Sequence, residues 1–124
     1  MHEIGVLYKM LEQVEEVAKE NHVKKVKSIE IELGELSGML PIFFEQYYSI
    51  VTENKPLFHE SELIINEIPG EGLCLDCHTL YNIMKNEGKC PKCKSRNKKV
   101  LGGRDFVVKN IMVEEQDSAE NRNG

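Results

Sequence analysis

The chain has 124 residues, of which 40% are hydrophobic and 30% charged, with a net charge of −5. That leaves room for one ordinary core, or for a small core plus a module too small to fold on burial alone. It argues against a general nucleic-acid binder, and no apolar run nears the roughly 20 residues that span a bilayer. The N-terminus shows neither a basic n-region nor an uninterrupted apolar h-region, so the expectation is a cytoplasmic protein with no targeting segment.

From Ile4 to about Glu20, apolar residues recur at helical spacing (Ile4, Leu7, Met10, Leu11, Val14, Val17/Ala18), opposite Glu12, Glu15, Glu16 and Lys19. This predicts one amphipathic helix. Val26 to Leu33 settles into alternation from Ile29, with Glu30 and Glu32 on the other face, which predicts a half-buried strand. Gly34 and Gly38 end it, and Pro41 suits the first turn of a second helix whose Phe43, Phe44, Tyr47, Tyr48, Ile50 and Val51 read as core. Glu62 to Ile68, closed by Pro69-Gly70, and Asp105 to Glu115 read as two further strands. The predicted class is α+β: two helices on a three-stranded sheet, with a zinc-ribbon domain inserted between the second and third strands. The corresponding domains are residues 1–69 plus 102–115, then 70–101, with Gly102-Gly103 as the return hinge. The tail 116–124 lacks apolar runs and is expected to be disordered.

Cys74-Leu-Asp-Cys77 and Cys90-Pro-Lys-Cys93 carry the clearest chemistry. Each Cys-x-x-Cys puts two thiolates on a tight turn, and two facing turns supply the tetrahedral sulfur cage that Zn(II) prefers. A redox dithiol or an iron–sulfur cluster are the alternatives. Four protein ligands leave no open coordination position, so the expected role is to fold residues 70–101. Tyr81 to Ile83 and Val100-Leu101 would be its short strands. His78 reads as an exposed neighbour of a ligand. Between positions 85 and 104, Lys85, Lys89, Lys92, Lys94, Arg96, Lys98, Lys99 and Arg104 face Glu87 alone. Some of these cations offset a tetrathiolate, and the rest suit a docking face.

At the N-terminus, a bulky His2 should prevent removal of Met1, leaving a free amine beside an imidazole and two backbone nitrogens. Nitrogen donors on one plane suit Ni(II) or Cu(II). The amides of His2 and Glu3 fall where a helix has no internal acceptor, so their deprotonation would break no helix bond.

Met1-His2-Glu3 opening a helix, then Ile31-Glu32-Leu33-Gly34-Glu35-Leu36-Ser37-Gly38, the four-cysteine ribbon, Gly102-Gly103-Arg104-Asp105-Phe106-Val107-Val108-Lys109 and a closing Ile111-Met112-Val113-Glu114 occur here in that order. Together they resemble the HypA/HybF family of hydrogenase nickel-incorporation proteins, from Met1 to Glu115. The resemblance implies nickel at Met1, His2 and Glu3, and zinc at Cys74, Cys77, Cys90 and Cys93. It implies delivery of Ni(II) to a [NiFe]-hydrogenase large subunit with a HypB-type GTPase as partner; some members also serve urease, and a homodimer is left open. Asp105 stands where glutamate is expected, and the tail after Glu115 matches nothing. The rival reading is a zinc-ribbon module that binds nucleic acid through the 85–104 basic patch, against which stand the acidic remainder and the lone aromatic Tyr81. No nucleophile triad, phosphate loop or open-site zinc motif predicts an enzyme.

Overall fold

A computed structural model describes residues 2–115, apart from the His2 side chain. The expected disordered tail, 116–124, lies outside the described residues. Helix α1 (His2–Glu20) buries Leu7, Met10, Leu11, Val14 and Ala18 and leaves Val17 half exposed. The ambiguous pair at 17 and 18 is thereby resolved. Strand β1 (Val23–Gly34) begins before the alternation does. Val26, Ile29, Ile31 and Leu33 are all fully buried, so its burial changes phase between Val26 and Ile29.

Helix α2 (Pro41–Val51) starts with proline at its first turn, where a missing N–H costs nothing, and packs on α1. Phe44 and Tyr48 are buried, while Phe43 and Tyr47 are only half buried and stack at 6.1 Å. The Tyr48 hydroxyl meets Ser61 Oγ at 2.7 Å, which gives its polar end a partner. After a 3-10 turn at Pro56–Phe58 come β2 (Glu62–Ile68), β3 (Glu71–Cys74), β4 (Leu80–Asn82), β5 (Lys98–Gly102) and β6 (Phe106–Glu115). They form two three-stranded sheets, ordered β2-β1-β6 and β4-β3-β5. This is the α+β architecture expected. The ribbon's central strand, β3, is an addition, because Glu71-Gly72-Leu73 is too short and too glycine-rich to signal itself.

Contacts divide the chain into two units. One holds residues up to Ile31, Leu40–Ile64 and residues from Val108; the other holds Glu32–Met39 and Ile65–Val107. The second takes in more than residues 70–101, and glycine explains how. A Cβ on Gly103 would stand 2.5 Å from Pro69 O and 2.6 Å from Gly70 Cα, and a Cβ on Gly34 would enter the Gly103 carbonyl. Three backbone segments therefore cross in direct contact. They are joined by Gly34 N–H to Asp105 O (2.8 Å), Glu35 N–H to Ile68 O (2.8 Å) and Leu36 N–H to Gly103 O (2.7 Å). Gly103, expected with Gly102 as a hinge, is a wedged crossing point at φ +89, whereas a Cβ on its neighbour Gly102 would meet nothing within 4 Å.

Candidate metal centres

The two cysteine knuckles are built alike. In the first, Cys74 O accepts from His78 N–H (2.9 Å) and Cys74 N–H donates to Thr79 O (2.9 Å). In the second, Cys90 O accepts from Lys94 N–H (2.9 Å) and Cys90 N–H donates to Ser95 O (2.8 Å). The residue after each second cysteine takes a left-handed backbone, His78 at φ 64 and Lys94 at φ 68. The loop thereby closes around the sulfur pair, and the conformation is sustained by those two hydrogen bonds. Ser95 Oγ donates to Asp76, which ties one knuckle to the other.

Strands β3 and β4 pair antiparallel on one side of the sheet and β3 and β5 on the other, and this lays Cys74 against the second knuckle. Cys74 Sγ lies 3.5 Å from Cys93 Sγ, and Cys77 Sγ lies 3.5 Å from Cys90 Sγ. All four sulfurs fall within 4.8 Å of one another, and none is in a disulfide. A tetrahedron with metal–sulfur bonds of about 2.3 Å has sulfur–sulfur edges of about 3.8 Å, so the arrangement fits Zn(II). His78 is not part of the cluster. Cys74 and Cys90 are fully buried with Tyr81, and Cys77 and Ile83 pack against them.

The thiols also divide the protons among themselves. The Thr79 hydroxyl beside Cys77 brings its thiol down to about 6. Burial pushes Cys90 up, yet the N–H groups of Cys93 and Lys92 bring it below the ordinary thiol range. The Ser95 N–H pulls on Cys93, but Cys74, burial and the neighbouring sulfurs outweigh it and raise this thiol to about 12. Without a cation, the cluster cannot carry four negative charges. A divalent cation removes that repulsion and favours full deprotonation.

At the other candidate centre, Met1 and the His2 side chain lie outside what the structure describes. His2 supplies the first residue of α1. Glu3 is a buried charged residue, 4% exposed, and its position falls on the same helical stripe as Leu7, Met10, Leu11, Val14 and Ala18. Its carboxylate accepts from its own backbone N–H and, at 3.1 Å, from the N–H of Leu40, the residue that caps α2. These two bonds hold the Glu3 carboxyl below the usual carboxylate range despite burial. Leu40 offers α2 no side-chain cap, so a carboxylate at that helix's positive end is doubly favourable. The side chain of Glu3, whose backbone amide is the expected nickel donor, thus anchors both helix starts. Its place four residues before Leu7 was a legible sign of burial.

Glu35 appears in the sequence reading only as part of the Ile31–Gly38 motif, with no role of its own. Its Oε1 accepts from Gly70 N–H (2.9 Å) and Asn82 Nδ2 (3.2 Å). The Gly70 bond, then Asn82, then the charge of Lys85 hold its carboxyl low. The partners sit 35 and 47 residues away, and no local pattern marks such a contact.

Comparisons with known proteins match the chain over most of its length. The family model for hydrogenase/urease nickel incorporation, metallochaperone, hypA, matches residues 1–113. A hydrogenase maturation factor HypA of Campylobacter jejuni is 31% identical over 113 residues, 91% of this chain and 99% of the relative. One of Desulfatibacillum aliphaticivorans is 34% identical, covering 91% of this chain and 87% of the relative. Among solved structures, the solution structure of the Ni metallochaperone HypA from Helicobacter pylori superposes with a TM-score of 0.63 at 23% identity, over 92% of this chain and 98% of the other. A second solution structure of a HypA protein gives 0.65 at 25% identity, over 94% and 98%.

Proposed function

Because the chain belongs to the HypA family of nickel-incorporation metallochaperones, we propose that it carries Ni(II) at its N-terminus for [NiFe]-hydrogenase maturation and holds a structural Zn(II) at Cys74, Cys77, Cys90 and Cys93. The observation that carries the reading is the family match over residues 1–113, which takes in the N-terminal residues and all four cysteines. Nickel is held by the Met1 amine, the His2 imidazole and backbone nitrogens at His2 and Glu3. Four nitrogens on one plane are the set that Ni(II) favours. The Glu3 carboxylate keeps its bond from Leu40 N–H, and its bond from the Glu3 N–H is given up when that nitrogen takes nickel. The protein catalyses no reaction; it hands its cargo to a HypB-type GTPase and a hydrogenase large subunit in the cytoplasm. Urease is a second recipient consistent with the family description.

Native mass spectrometry of the untagged chain after addition of Ni(II) tests this. One nickel and one zinc per chain are expected, with a yellow, diamagnetic square-planar absorption signature. His2→Gln, which keeps Met1 in place, and a non-cleaved N-terminal extension should each abolish the nickel and spare the zinc. Unchanged nickel stoichiometry and spectrum in the extended chain would place the site elsewhere.

A further inference from the structure

The ribbon unit carries a hollow that the zinc cluster does not use, about 440 Å³ in volume, lined by Leu36, Ser37, Ile83, Lys98, Val100 and Arg104. Two of its lining residues, Ile83 and Lys98, meet over the central strand where that strand has glycine at position 72. Gly72 pairs with Tyr81 on one side and Val100 on the other, so all three face the same way, as do Cys74 and Ile83 two residues on. A Cβ on Gly72 would stand 3.0 Å from Ile83 Cγ1 and 3.5 Å from Lys98 Cδ. Without it, these two side chains lean over the strand from opposite sides.

The far wall is fixed by the glycine crossing. Leu36 N–H donates to Gly103 O at 2.7 Å, and the Leu36 side chain fills the space a Cβ on Gly70 would need. The result is an apolar floor of Leu36, Ile83 and Val100 between two cations. Lys98 Nζ donates only to a neutral acceptor, Arg96 O, at 2.8 Å. Among the described residues, neither Lys98 nor Arg104 forms an ion pair. Three ion pairs, Lys24 with Glu114, Lys25 with Glu60 and Lys55 with Glu15, lie in the helical unit. Eight cations against Glu87 between positions 85 and 104 therefore give this segment, though not the unit as a whole, a positive field in a chain of net charge −5.

We propose that this hollow docks an acidic segment of a protein partner, its carboxylates on Lys98 and Arg104 and an apolar side chain between them on Ile83 and Val100. The inference deepens the chaperone reading and rests on it only in that a metal carrier must engage protein partners. Chemistry favours carboxylate over nucleic acid here. Arg104 presents a planar fork that matches a carboxylate with two hydrogen bonds. A nucleic-acid surface gains from exposed aromatic faces, and the ribbon's one aromatic, Tyr81, is 6% exposed and packed on cysteines.

The test uses the full zinc-loaded, nickel-free chain, labelled with nitrogen-15, and three probes: the capped peptide Glu-Asp-Leu-Asp-Glu, its analogue Ser-Ser-Leu-Ser-Ser, and a twelve-nucleotide oligothymidylate. The acidic peptide should bind saturably and shift the amides of Ser37, Ile83 and Val100, and the serine peptide should not. Arg104→Glu and Lys98→Glu should each weaken binding about tenfold or more, whereas Lys89→Glu, a cation outside the hollow, should change it by less than about threefold. Zinc content checks that every variant keeps its ribbon. Equal weakening by Lys89→Glu, shifts spread over the whole ribbon, or tighter binding of the oligothymidylate at these amides would overturn the proposal. Nickel stoichiometry is measured on the same samples. Lost docking with nickel retained overturns this inference alone, and a wild type that takes no nickel overturns the chaperone reading alone.

Discussion

In the helical unit, Leu7, Leu11, Val26, Ile29, Ile31 and Phe44 have no exposed surface, whereas between Pro69 and Asp105 the side chains that reach zero are two cysteines, Cys74 and Cys90. The first unit is held by burial, worth roughly 1.5–3 kcal/mol for each large apolar side chain. The stretch between Pro69 and Asp105 has no such reserve. Its strands β3, β4 and β5 are four, three and five residues long, and isolated strands of that length are not stable in water. A metal cage and a close crossing of glycines stand in for a core. The two units should therefore fail by different routes, and each route can be opened separately.

The largest effect should come from the cage. Structural zinc sites contribute on the order of 10 kcal/mol of apparent folding free energy, far more than any single contact in this unit. Cys74→Ser should release zinc and strip amide protection from residues 70–101, while the amides of α1 and α2 keep theirs. Metal analysis paired with amide hydrogen exchange reads both halves. Retained zinc with unchanged ribbon protection would dissolve the contrast between the units, and loss of protection in α1 would show that they do not fail separately.

The crossing comes next, and it offers an internal control in adjacent residues. Gly103→Ala puts a Cβ within 2.8 Å of three backbone atoms at φ +89, combining overpacking with a left-handed strain; a loss of roughly 2–5 kcal/mol is expected. Gly102→Ala meets nothing within 4 Å and should fall within about 0.5 kcal/mol of wild type. Urea unfolding followed at Leu36 and Ile83 amides separates the two. Equal stability of both variants would mean that the segments part easily and that the sequence's suggestion of a hinge was the better description.

How much of this could be read from residues alone follows from where the contacts fall. The helices, the three long strands and the four-cysteine cage were legible because their information is local: a 3.6-residue period, a two-residue alternation, a fixed ligand spacing. The burial of Glu3 was encoded in the same stripe as Leu7 and Met10 but was obscured by its charge. Strand β3, the crossing at Gly34, Gly70 and Gly103, and the meeting of Ile83 and Lys98 over Gly72 could not be read. Each depends on what another segment leaves out, and a missing side chain has no period.

Glu35 gives the smallest and most selective test, since its side chain reaches Gly70 and Asn82 in addition to the backbone bonds that hold the Glu32–Met39 segment. Its carboxylate is held below the ordinary value of about 4.3 by the Gly70 N–H first, with Asn82 and Lys85 adding to it. A carboxyl depressed on folding stabilises the folded chain fully above its unfolded value, and that contribution fades as pH falls through the folded value. Glu35→Gln keeps an oxygen for Gly70 but turns a charge-assisted bond into a neutral one, so the loss should be smaller than that of Gly103→Ala. The difference between wild type and variant should hold steady at pH 6 to 8 and close as the solution is acidified below about pH 4, with zinc-independent probes in the Glu32–Met39 segment used because acid also strips thiolate sites. A gap that persists unchanged in acid would show that Glu35 acts through shape and packing, and that charge contributes nothing to how this segment is held.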